Sequence, residues 1–197
     1  MIEFGFLRKE QQDICMNTVY SYFAPYWGRY GAKGFTKVPD HIKNVRLILV
    51  RKNKFLGGLY DLQLSAAWQV DLDEKWIIKL QSRRSGCYFY TKSYSPVARE
   101  IIRQLNLHEK LLETLNQIDL SDINISMRDR SLQFNLTPMG GGMCFLVIPP
   151  VRYQVPMPKN QIGKLAESIE QIGKLITNMS CTMPGFLARQ EHLSISD

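Results

Sequence analysis

The sequence predicts an α+β fold: a curved antiparallel sheet of about seven or eight strands with helices packed mainly on one face. Three observations lead there. Between Asn160 and Met179, the residues Ile162, Leu165, Ile169, Ile172, Ile176 and Met179 recur three and four apart, which places them on one stripe of a helix. Between Ile123 and Leu136, apolar Ile123, Ile125, Met127, Leu132, Phe134 and Leu136 alternate with polar residues, the pattern of a hairpin with one wet face. Runs such as Val45–Val50 and Met143–Ile148 are apolar and rich in β-branched residues, as strands under a helical cover should be.

Taken in order, Leu7 to Phe23 reads as a helix. Its face is Leu7, Ile14, Cys15, Val19, Tyr22 and Phe23, and Pro25 ends it. Residues 26–37 mix aromatics, glycines and cations without a period, so they read as a loop. Val45–Val50 is a strand, Arg51–Lys54 a turn, and Phe55–Leu64 a second strand in which Gly57 and Gly58 suggest a bulge or bend. Leu64–Val70 fits either strand or helix. Asp71–Lys75 is a turn, Trp76–Leu80 and Cys87–Thr91 are strands, and the four strands are expected to pair in antiparallel succession.

Ser95-Pro96 is a helix start, with the serine as cap and the proline in the first turn. Asn106 with Glu109 three residues on reads as a second cap, giving a helix faced by Leu107, Leu111, Leu112 and Leu115. Gly140-Gly141-Gly142 reads as a flexible connection, since no lysine follows and the next element is a strand. Val151–Val155 is an edge strand between prolines. The order is then helix, four strands, helix, followed by helix, three or four strands, helix, which suggests a pseudo-duplicated helix–four-strand–helix unit on topology alone. Residues 1–179 are expected to form one domain: 1–43 an N-terminal helix and basic aromatic loop, 44–105 a first sheet half, 106–179 a second half with the long helix, and 180–197 a tail.

The stripe of the long helix could dimerise as a coiled coil or be buried within its own chain. The run is shorter than a coiled coil wants and carries Gly163 and Gly173. Burial within the chain is therefore expected, with Gly173 allowing close approach to a strand.

The chain of 197 residues carries a formal charge of +7. Residues 1–60 hold 10 Lys and Arg against 4 Asp and Glu, residues 61–120 hold 8 against 8, and residues 121–197 hold 7 against 6. An excess confined to one third points to an anionic partner more than an even spread would, although many soluble proteins carry such an excess for solubility alone. Cys15, Cys87, Cys144 and Cys181 show no Cys-x-x-Cys spacing, so they read as reduced thiols rather than a disulfide framework or a zinc site. No export signal begins the chain and no apolar run approaches the roughly 18 residues of a membrane span. A cytoplasmic protein with no cofactor is expected.

No nucleophile elbow, phosphate loop, dinucleotide fingerprint or zincin motif occurs. The candidate binding residues for an anionic partner are Trp27, Arg29, Tyr30, Lys33, Lys37 and Lys43. Aromatics and cations interleaved in this way can stack bases and neutralise phosphates; the alternative, that the aromatics tuck into the core, is the commoner fate of such a loop. Pro39-Asp40 and Asp73-Glu74-Lys75 spell a short nuclease-like pattern of two carboxylates and a lysine, which would need a divalent ion. The absence of a convergent catalytic set favours a non-catalytic binding or adaptor protein that recognises an anionic or protein partner. A nucleic-acid-binding protein using the basic N-terminal third is the alternative, and a metal-dependent nuclease using Asp40, Asp73 and Lys75 a third reading.

Overall fold

The computed structural model describes residues 9–31, 34–42, 44–54, 57–83, 86–146 and 151–182. Helix α1 (Lys9–Trp27) is followed by a two-residue hairpin, β1 (Tyr30–Gly31) and β2 (Gly34–Phe35). Strands β3 (Arg46–Lys54), β4 (Gly57–Gln69), β5 (Trp76–Arg83) and β6 (Gly86–Thr91) come next. Helices α2 (Pro96–Leu107) and α3 (Glu109–Asn116) lead into β7 (Leu120–Arg128), β8 (Ser131–Pro138), β9 (Met143–Leu146) and β10 (Val151–Gln154). Helix α4 (Lys159–Thr182) completes the described chain.

Eight strands form one open antiparallel sheet in the order β10-β9-β4-β8-β7-β5-β6, with β3 on the other side of β4. The long strand β4 is its axis. One edge of β4 pairs with β3; the other pairs with β9 over Gly57–Tyr60 and with β8 over Leu64–Gln69. Helix–four strands–helix does occur twice in chain order, setting the small hairpin aside. The halves interleave in the sheet: hairpin β7–β8 enters between β4 and β5, so the first four strands do not pair in simple succession. Alternation dictates which face a residue takes, not which strand lies next to it.

Even-numbered residues of β4 from Tyr60 to Trp68 point inward and are buried, as are Ile123, Ile125 and Met127 of β7 and Leu132, Phe134 and Leu136 of β8. Helix α4 covers this face, flanked by α1 on one side and by α2 and α3 on the other. All six residues of its predicted stripe are buried, each contributing roughly 1.5–3 kcal/mol. The stripe is thus buried within its own chain. Gly173 makes a close approach to the loop before β3 rather than to a strand: a Cβ there would lie 3.0 Å from the His41 carbonyl oxygen. A further pair fixes the start of α4, where buried Gln161 donates to Asp119 Oδ2 at 2.6 Å and accepts from the Asp119 amide at 3.2 Å.

Several local expectations are corrected. Pro25 lies inside α1, which continues to Trp27. An interior proline costs about 3 kcal/mol. Trp27 compensates, fully buried, stacked 4.9 Å from Phe23 and edge-on to Phe35 at 5.3 Å. Ile14, assigned to the buried face, is exposed, and so is Leu107. Arg51–Lys54 belongs to β3, and Gly57 and Gly58 pair regularly with Lys54 and Asn53. Leu64–Gln69 is strand. The cap of α3 is His108, whose Nδ1 accepts from the Leu111 amide at 3.2 Å. Asn106 is engaged elsewhere: it accepts from the Phe89 amide and donates to the Phe89 carbonyl, at 2.8 and 2.9 Å. Ser95 caps α2 as predicted.

The three consecutive glycines are buried and closely packed. Leu136 pairs with Leu64 and Met143 with Tyr60, so residues 137–142 stand opposite only 61–63. Strands β8 and β9 are in effect one strand interrupted by a buried loop. That loop is held by hydrogen bonds between Gly141, Gly142 and Val155, both at 2.9 Å. A Cβ on Gly142 would come within 2.3 Å of the Tyr60 carbonyl oxygen.

Candidate functional site

The second face of the sheet is open. None of its inward–outward alternates on β4, β5, β6, β7 and β8 from Asp61 to Asn135 is buried, and no described helix crosses it. Its surface is laid out by strand register. One row runs Tyr90–Lys79–Asn124–Asn135–Ser65–Arg46, six strands wide, and so spans about 24 Å at the usual strand spacing. A parallel row runs Ile77–Ser126–Gln133–Ala67. The Asn135 amide donates to Asn124 Oδ1 at 3.2 Å, and Asn124 in turn donates to Asp122 at 2.9 Å.

Where β5, β6 and β7 meet, this face forms a groove of about 1040 Å³. Ile77 lies in it, 52% exposed, an apolar side chain in water at the centre of a polar face. Lys79 flanks it on its own strand and Lys75 from just before it, Lys92 enters just past β6, and Arg128 comes from the end of β7. Arg128 pairs with Asp129 at 3.1 Å, both largely exposed. Among the described residues, Lys75, Lys79 and Lys92 have no acidic partner within salt-bridge distance. The tight turn from Arg128 to Ser131 puts two non-glycine residues, Asp129 and Arg130, at positive φ (50° and 55°), the conformation of a two-residue hairpin turn. It is tied to the end of β4 by the Val70 amide, which donates to the Arg130 carbonyl at 3.0 Å.

The residues singled out in the N-terminal loop are placed differently. Trp27 is fully buried and offers no surface. Tyr30 stacks on Tyr20 with centroids 3.8 Å apart; burial and the neighbouring Tyr30 hydroxyl hold the Tyr20 phenol well above its ordinary value. Arg29 and Lys37 are exposed at the base of the small hairpin, where the Thr36 amide donates to the Arg29 carbonyl and the Lys37 amide to the Trp27 carbonyl. Lys33 and Lys43 lie outside the described residues. Of the remaining N-terminal cations, Arg46 sits on the open face, while Arg51, five residues on, has the opposite strand parity.

The acidic run before β5 also divides. Glu74 turns inward and accepts from the Trp76 indole at 2.9 Å and from the Ser95 hydroxyl at 2.5 Å, fastening β5 to the start of α2. Asp73 is exposed and Lys75 lines the groove. No group of three or more His, Cys, Asp or Glu with metal-holding geometry occurs among the described residues. Cys15 and Cys87 are buried thiols whose burial raises their pKa above the ordinary value, and each donates to a backbone carbonyl, of Gly141 and Leu112 respectively.

The groove could have been found in the sequence. Lys75-x-Ile77-x-Lys79 and Tyr90-x-Lys92 put apolar, aromatic and cationic side chains on alternate positions, and alternate positions share a face. What the sequence lacks is the pairing that sets β7 beside β5. Among the described residues no helix is long and apolar enough to cross a membrane. No curated protein and no solved structure matches the chain. A family model described as "Protein of unknown function (DUF3156)" matches residues 24–176, a stretch that contains the whole sheet and the groove. The chain belongs to the DUF3156 family.

Proposed function

We propose that this protein is a non-catalytic binding module that holds an anionic partner on the open face of its sheet. The observation that carries the reading is the cluster of Lys75, Lys79 and Lys92 around exposed Ile77, without acidic partners among the described residues. Like charges gathered on one side of a groove repel one another and raise the local positive potential, and an anion relieves both. Ile77 adds a patch of apolar surface that an ion alone would not cover. The free thiols of Cys15, Cys87 and Cys144 support a reducing, cytoplasmic setting.

The test is fluorescence anisotropy with labelled polyanions, polyglutamate and an oligonucleotide, at low and physiological salt. Wild type should bind at least one, more weakly as salt rises. Lys75→Ala/Lys79→Ala/Lys92→Ala should weaken binding by about tenfold or more, roughly 0.5–1 kcal/mol per cation. Arg29→Ala/Lys37→Ala should leave it near wild type. If the triple variant binds as wild type while the double variant does not, the site belongs to the N-terminal hairpin and the proposal is wrong.

A further inference from the structure

We infer that the anion this groove takes is single-stranded nucleic acid, an inference that rests on reading the groove as an anion site. Three features beyond charge point to it. The first is a line of aromatic faces. Tyr88 and Tyr90 stand side by side on the outward positions of β6, their rings 6.3 Å apart and tilted by 53°. Tyr94, beyond the end of β6, is 86% exposed, and the Arg99 guanidinium lies 5.5 Å over its ring, so that one ring face is taken and a cation stands beside it. Unpaired bases stack on such rings whatever their identity, and cations beside them neutralise the phosphates.

The second feature is the amide surface beyond the lysines. Asn124, Asn135 and Gln133 lie in adjoining rows on the same face. Each amide offers a donor and an acceptor together, which suits the edges of splayed bases; a run of carboxylates presents acceptors only. The third is that the simplest way to hold a peptide here is obstructed. A peptide adding to the sheet beside the groove would pair with the free edge of β6. At Phe89, in the middle of that edge, the amide and the carbonyl are both engaged by Asn106, at 2.8 and 2.9 Å.

Duplex nucleic acid has its bases already stacked and paired, so it would use the lysines but not the tyrosines. The structure therefore orders the ligands: single strand ahead of duplex and of acidic peptide.

The experiment uses the full chain and four labelled probes: single strands of DNA and of RNA of about 12 nucleotides, the duplex of the same sequence, and polyglutamate. Affinity for the single strand should fall with salt along a log–log slope of about −2 to −3, as expected for three or four neutralised phosphates. Lys79→Ala should make that slope shallower by about 0.7. Tyr90→Ala should weaken the single strand by about tenfold and leave polyglutamate unchanged. Tyr94→Ala, at a site exposed enough to leave folding untouched, should do the same to a smaller degree. The DNA and RNA arms separate the two sources of the strand. Polyglutamate or duplex binding as tightly as the single strand, with the tyrosine variants indifferent, overturns the nucleic-acid inference and leaves the anion groove standing. Failure of every polyanion to bind overturns both.

Discussion

Gly142→Ala is the sharpest single test of the architecture. The added methyl carbon would lie 2.3 Å from the Tyr60 carbonyl oxygen and 3.4 Å from the Asp61 Cα. Ordinary contact between such atoms begins near 3.4 Å, so about 1 Å must be recovered by moving backbone. The obstacle is the central strand β4, paired on both sides here by β3 and β9, and it cannot yield as the tip of a flexible side chain would. Overpacking of this kind costs typically 1–3 kcal/mol. At about 2–4 °C per kcal/mol for a chain of this size, the melting temperature should fall by roughly 2–12 °C. Gly31→Ala is the control: a Cβ there meets nothing within 4 Å, and its melting temperature should stay within about 2 °C of wild type. Thermal denaturation followed by circular dichroism reads both. Equal melting temperatures for the two variants would mean that the glycine loop is the loose connection its composition suggests and that β9 does not lie against β4.

Three further outcomes are expected. Ile169→Asp puts a carboxylate at a position 1% exposed and should destabilise the fold by more than about 4 kcal/mol; a variant that kept its melting temperature and only lost a dimer would return the stripe to a coiled coil. Glu74→Ala strips the partner from the Trp76 indole, whose residue is 3% exposed, and should cost about 1–3 kcal/mol in urea denaturation; no change would mean the indole finds water. Lys110 and Glu167 pair at 2.8 Å between α3 and α4, and the Lys110 hydrogen bond holds the Glu167 carboxyl below its ordinary value. That contribution is complete above the ordinary glutamate range and drains away as pH falls through the lowered folded value. Because 71% and 40% of the two side chains is exposed, wild type should be only slightly more stable than Lys110→Ala at neutral pH, and the gap should close in acid. A gap that widened in acid would refute the assignment.

The sequence by itself determined the class of the fold, the buried stripe of α4, the Ser95 cap and the inward faces of β7 and β8. Each is local: helical and strand periods decide which side chains share a face, and a cap needs only its own turn. It also carried the alternating Tyr88, Tyr90 and Lys92 and the Lys75–Ile77–Lys79 set. Tertiary structure alone decided that β7 lies beside β5, because strand pairing is chosen by contacts between residues far apart in the chain. That pairing brings Arg128 to Lys75, Lys79 and Lys92 around Ile77. Tertiary packing also decided the fate of the N-terminal loop. The aromatic content of Trp27 and Tyr30 suits either a ligand or a core, and it is the presence of Phe23 and Phe35 that buries Trp27, while Tyr30 stacks on Tyr20 and stays 38% exposed. The three glycines follow the same logic: composition permits freedom, but the carbonyl of Tyr60 lies where a side chain would be, and glycine is there because nothing larger fits.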